Sequence, residues 1–90
     1  MAVLVDDPIW PAHGRLWAHM VSDESLDELH VFAQAHGIPR RAFDLDHYDV
    51  PADSLRALIA DGAQHVGGKQ LVRALIASGL RIPARDRKRL

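Results

Sequence analysis

Histidine and aspartate are unevenly placed along this 90-residue chain, and their pattern is the chemical starting point. Five of the six histidines, His13, His19, His30, His36 and His47, fall between residues 13 and 47. They are interspersed with Asp6, Asp7, Asp23, Asp44, Asp46 and Asp49, and cysteine is absent. Imidazole together with carboxylate is what a hard or borderline divalent cation requires, and equally what an acid–base centre requires. Without thiolates, any metal must be held by nitrogen and oxygen. No spacing reproduces a diagnostic catalytic motif, so the chemistry depends on which of these groups the fold brings together.

Three constellations stand out. Asp6 and Asp7 close a short apolar run, and an acid pair at the end of a strand is how an α/β fold presents carboxylates to Mg²⁺, Mn²⁺ or a phosphoryl group. A solvated Asp-Pro turn accounts for the same residues. His47 and Asp49 stand two residues apart, so on extended backbone both point to one side, as metal ligation or a base with its orienting acid needs. The competing account has Asp49 capping a helix that starts at Pro51 while His47 packs. His30 lies on the shoulder of a helical apolar stripe, where a satisfied boundary residue is the commoner outcome, but a strand bearing His19 adjoins it. His13, His36 and His65 read as surface residues. Gly67-Gly68-Lys69, ahead of a helix, offers N–H groups and an ammonium to an anion but lacks the full phosphate-loop pattern.

The elements that must position these groups follow from periodicity and breakers. Residues 2–5 are an apolar, β-branched strand, and Pro8, Pro11 and Gly14 mark a loop in which Trp10 covers part of the core. Residues 16–21 alternate as a second strand. Ser25 to Glu28 is a capping box, Leu26, Leu29, Phe32 and Ala33 form a stripe, and Gly37 with Pro39 ends a helix over about 24–36. Residues 41–45 alternate as a third strand. Pro51 suits a first helical position, with Leu55, Leu58 and Ile59 as the stripe and Gly62 as the stop. Residues 63–66 are a minimal strand, and a last helix runs over about 69–78 to Gly79. The expectation is one small layered α/β domain over 1–82, with a short, partly parallel sheet of about four strands and three helices. Residues 83–90 read as a disordered basic tail.

Bulk properties narrow the partners. The net charge is −1, yet residues 1–50 hold nine acids against three arginines while residues 62–90 hold seven basic residues against Asp86 alone. Arg85, Arg87, Lys88 and Arg89 could contact the phosphates of a nucleic acid without sequence specificity, though simple solubilising charge explains them as well. Ninety residues give one small core, for which formation of a homodimer would be a natural supplement. No apolar run approaches a membrane span, and the amino terminus meets acids at once with no basic segment before it. A cytoplasmic protein without membrane attachment is the expectation.

Val5-Asp6-Asp7, Gly14, His19-Met20 followed by Asp23, Glu28-Leu29-His30, the Gly37 stop and His47-Tyr48-Asp49 form an ordered series. This series resembles a family of small bacterial and phage proteins known only as a domain of unknown function. The resemblance spans about residues 3–66. It implies that Asp6, Asp7, His19, His30, His47 and Asp49 belong to one signature, and it brings no reaction, ligand or partner.

Two readings of different classes follow. In one, Asp6, Asp7, His47 and Asp49 hold a divalent cation (Zn²⁺, Mn²⁺ or Mg²⁺). His19 and His30 then act as acid–base groups in hydrolysing a phosphate-containing or nucleotide-like substrate. In the other, the protein is a non-catalytic binding module whose His/Asp cluster is a structural hydrogen-bonded network.

Overall fold

The computed structural model describes residues 2–83. Six strands, β1 (Val3–Val5), β2 (Trp10–Ala12), β3 (Arg15–Ser22), β4 (Phe43–Asp44), β5 (His47–Pro51) and β6 (Gln64–His65), form one sheet. Three helices accompany them: α1 (Leu26–Ala35), α2 (Leu55–Ala60) and α3 (Gly68–Ser78). The order is β4-β5-β3-β1-β6, with β2 also paired to β3. Only β1 and β6 run parallel, and the other pairs are antiparallel. The fold is α/β as expected, but with six strands rather than four.

The extra strands have physical causes. Pro8, Pro11 and Gly14 suggested a loop, yet Trp10–Ala12 pairs with residues 15–17 of β3. The hairpin closes through His13 and Gly14 at φ 52° and 76°, both left-handed, as a tight two-residue turn requires. Proline is tolerated in β2 because that strand pairs with β3 alone,. The expected strand at 41–45 is instead a 3-10 turn at Arg40–Ala42 followed by two-residue β4. Pro51 ends β5 rather than starting a helix. Its pairing is with Trp17 on β3, beyond the reach of β4, which pairs only with His47 and Tyr48. A 3-10 turn at Ala52–Ser54 then precedes the six-residue α2.

Helix α1 begins as its sequence indicates, with Ser25 accepting from the Glu28 N–H at 3.1 Å. The other half of the capping box is redirected, since the Glu28 carboxylate accepts from the Ser22 hydroxyl at 2.5 Å. At the far end Gly37 takes φ 71° and the Ile38 N–H reaches the Ala33 carbonyl at 2.9 Å, satisfying carbonyls the helix leaves open.

The sheet is covered differently on its two sides. On one, Val3, Val5, Ala18, Met20, Tyr48 and Val50 pack against Leu29 and Ala33 of α1, Ile38, Leu58 of α2 and Ala63. On the other, Leu4 and Val21 pack against Leu71 and Leu75 of α3. That second cluster reaches only β1 and the end of β3. The rest of this face, formed by the outer half of β3 and by β5, carries the polar residues that alternate with the buried ones. Among the described residues, no helix is long and apolar enough to cross a membrane. The expected basic tail falls, apart from Pro83, outside the described residues.

Helix α3 stops at Gly79, at φ 82°, and the chain then turns back so that Arg81 and Ile82 reach the β4–β5 turn. A Cβ at Gly79 would meet nothing within 4 Å, so replacing it tests backbone conformation alone. Gly79→Ala is expected to destabilise the domain by about 1–2 kcal/mol in urea unfolding, the cost of a left-handed non-glycine residue. An unchanged or raised midpoint would contradict this account of the turn.

Candidate metal centre

The site is assembled by strand register. His19 on β3 lies directly opposite Asp49 on β5, and His47, two residues before Asp49, shares its side of the sheet because side chains alternate. The rings of His19 and His47 meet edge to face with centroids 5.2 Å apart. One ligand-type atom from each of His19, His47 and Asp49 lies within 4.8 Å of the others. The three residues are half-buried. A one-residue slip of β5 would turn His47 and Asp49 into the core and destroy the site.

Each imidazole is held from behind by a buried carboxylate. Asp6 grips His19 twice: Oδ1 accepts from the His19 backbone N–H at 2.7 Å, and Oδ2 lies 2.9 Å from Nδ1. Asp46, with no exposed surface, lies 2.8 Å from His47 Nδ1 through Oδ1. Its Oδ2 accepts from the Ile82 N–H at 2.8 Å and faces the Arg81 guanidinium at 3.9 Å. With Nδ1 engaged on both rings, Nε2 is the nitrogen of His19 left to ligate among the described residues, while Nε2 of His47 lies 3.1 Å from Asp49 Oδ1. Carboxylate–histidine pairs of this kind fix the tautomer and aim the remaining nitrogen at a metal.

Burial opposes protonation of His47, but the hydrogen bonds and fields of Asp49 and Asp46 together outweigh it. The ring therefore titrates above the usual imidazole value of 6.5. The three carboxylates touching the two rings leave the cluster strongly acidic, with Arg81 as partial compensation. A divalent cation is what such a cluster attracts. The rings open onto a cleft of about 290 Å³ lined by His19, His47 and Arg81 over Val21, Leu71, Val72 and Leu75.

The candidates named from sequence are divided by the fold. His19, His47 and Asp49 come together, with Asp6 behind His19. Asp7 points away and forms an exposed pair with His65, Oδ1 to Nε2 2.7 Å. His30 is on the opposite side of the sheet. It hydrogen-bonds the Tyr48 hydroxyl at 2.7 Å, and Tyr48, lying between His47 and Asp49 in sequence, necessarily projects away from them. Burial and Arg40 hold His30 below its ordinary pKa against the pull of Asp27, and burial raises Tyr48. Both stay neutral near pH 7, as suits a pair joining α1 to β5. Asp49 is turned to His47 instead of a helix start, and the 3-10 turn that follows has Pro51, which cannot cap through its side chain, at its N-cap. The residue that sequence reasoning missed is Asp46. The expected strand at 41–45 runs on into residues 46–49 without marking it, and the N–H that holds its second oxygen comes from Ile82, 36 residues away.

Comparison with curated proteins and with solved structures finds no match for the chain. Residues 3–78 match the family described as "Protein of unknown function (DUF4031)". The match covers both strands that carry the histidine and aspartate donors and all three helices. The chain belongs to the DUF4031 family, whose function is unknown.

Proposed function

We propose that this protein binds a divalent transition-metal ion through His19, His47 and Asp49 and uses it to hydrolyse a phosphate-containing substrate. The observation that carries this reading is the pair of imidazoles, each anchored through Nδ1 to a buried carboxylate and converging beside a third acid. Two nitrogens and one carboxylate oxygen favour Zn²⁺ or Mn²⁺ over Mg²⁺, which prefers oxygen and retains its waters. Asp6 and Asp46 are then orienting groups rather than ligands, because their oxygens are already engaged. His19 serves as a ligand, and His30 and Asp7 stand outside the centre. A bound ion of this type lowers the pKa of a coordinated water and supplies a nucleophile at neutral pH. Arg81, on the rim of the cleft, suits a phosphoryl oxygen,.

A second reading is favoured by one detail. Protonated His47 can donate to Asp46 and Asp49 at once, so the cluster closes on itself without a metal and could serve as a structural ion-pair network in a binding module. The two readings make opposite demands on the ring, which must be neutral to ligate and charged to form the network.

The metal-free network has a defined pH signature. Because the folded-state pKa of His47 is raised, its contribution to stability is fully present below 6.5, the unfolded value, and is lost as pH rises through the folded value,. Urea unfolding in EDTA should therefore show wild type gaining more over His47→Gln at pH 5.5 than at pH 8.5. A gap that widens with pH would contradict the assignment.

Metal binding should show the reverse dependence. Zn²⁺ or Mn²⁺ at a hundred times its Kd corresponds to about 2.7 kcal/mol. At about 4–8 °C per kcal/mol for a small domain, the melting temperature at pH 7.5 should rise by on the order of 10 °C or more. The rise should shrink below pH 6, and Asp49→Asn should abolish most of it. With metal bound, wild type should release nitrophenolate from a nitrophenyl phosphate ester and Asp49→Asn should not. A melting curve unchanged by several metals would favour the structural network.

A further inference from the structure

Beside the candidate metal centre, the β2–β3 hairpin, the end of β5 and the segment that follows α1 (residues 36–42) enclose a second and larger cavity of about 590 Å³ that Asp49 also lines. Its volume lies within the range of small-molecule sites. The wall is an aromatic ladder set by register. Trp10 on β2 is paired with Trp17 on β3, the two rings stack with centroids 6.0 Å apart at 23°, and the guanidinium of Arg15 lies 6.0 Å from the Trp17 ring. Trp10 continues toward the site, its ring 6.2 Å from that of His19. The charged side chains on this cavity are Arg15, Arg41 and Asp49. With Asp49 paired to His47, two guanidiniums remain to face the ligand. Trp10 also carries a buried indole N–H without a hydrogen-bond acceptor among the described residues, a donor that protein structures seldom leave unmatched.

Indole faces and guanidiniums beside a candidate metal centre suit a ligand that is planar at one end and anionic at the other. We propose that this groove binds a nucleotide, its base stacking on Trp10 and Trp17 and its phosphate facing Arg15 and Arg41 next to the His19–His47–Asp49 centre. The inference rests on the metal reading above and names the substrate class of that site. A base offers a π-face to an indole whatever its identity, and guanidiniums match phosphate oxygens in pairs. A free nucleotide and an unpaired nucleotide of a single strand share this chemistry.

Both tryptophans of the chain lie on the groove, so intrinsic fluorescence reads it directly. Titration of the full chain in EDTA with AMP should quench saturably, while ribose 5-phosphate should not quench. Adenosine should bind about tenfold more weakly than AMP, the scale of one lost charged contact. The double variant Arg15→Gln, Arg41→Gln should weaken AMP by about the same factor or more and leave adenosine unchanged. A short oligothymidylate run in parallel distinguishes the sources. Tighter binding of AMP assigns a free nucleotide, tighter binding of the oligomer a single strand, and either upholds the groove. No quenching by either, equal quenching by ribose 5-phosphate, or an unaffected double variant would overturn the proposal. Quenching by a protein whose melting temperature ignores metals would retain the nucleotide groove and overturn the metal centre. Metal stabilisation without quenching would do the reverse.

Discussion

The arrangement hinges on a carboxylate removed from water. Asp46 has no exposed surface, and its two oxygens meet His47 Nδ1 and the Ile82 N–H. An isolated buried charge would be prohibitively costly, and these partners, with the Arg81 guanidinium at 3.9 Å, offset that cost for Asp46,. The bonds also tie three separate parts of the chain together: the β4–β5 turn, the imidazole on β5 and the segment returning from α3. The turn itself is tight. Asp46 donates its N–H to the Asp44 carbonyl at 2.6 Å, with Leu45 between them at φ 63°. A leucine in left-handed backbone is disfavoured, and here it aims Asp46 inward beneath His47. Backbone strain beside a candidate site is a recurring association.

Asp6 plays the matching part for His19 from the other side of the sheet order. Strand β1 lies between β3 and β6, and its last residues carry the carboxylate past the covered core to the histidine backbone and ring. Asp6 Oδ2 also lies 3.8 Å from the Cβ position of Gly68 at the start of α3, where the helix dipole favours negative charge. Two imidazoles are thus aimed by two buried acids that come from different elements. What is exposed between them is the third acid, Asp49, and the free edge of His19. This division of labour explains why an apparently scattered set of six signature residues yields a compact set of three donors.

Much of this was legible from the chain and some was not, for physical reasons. The cap at Ser25 and the stop at Gly37 are local chemistry, and α1 lies where they place it. The shared side of His47 and Asp49 follows from period two, as does the strand that carries His19. The same period turns Tyr48 to the opposite face, but that His30 joins Tyr48 there is a tertiary contact that no spacing reveals. Strand β2 was hidden by Pro8, Pro11 and Gly14, since breakers mark a loop and a tight edge hairpin alike. Asp46 is bonded to the Ile82 N–H, and no local pattern signals a contact that distant. The aromatic groove was hidden for the same reason, because Trp10 and Trp17 meet only once β2 is recognised.

Anomalous diffraction can decide the claim that His19, His47 and Asp49 together hold a metal ion. Crystals grown with Zn²⁺ and measured at its absorption edge should show a strong anomalous peak among the three residues. It should lie at about 2.0–2.2 Å from Nε2 of each histidine and from an Asp49 oxygen, with Asp6 and Asp46 still bonded to Nδ1 behind them. A peak at the exposed Asp7–His65 pair alone, or none while His47 still bridges Asp46 and Asp49, would contradict the claim and leave the cluster a structural ion-pair network.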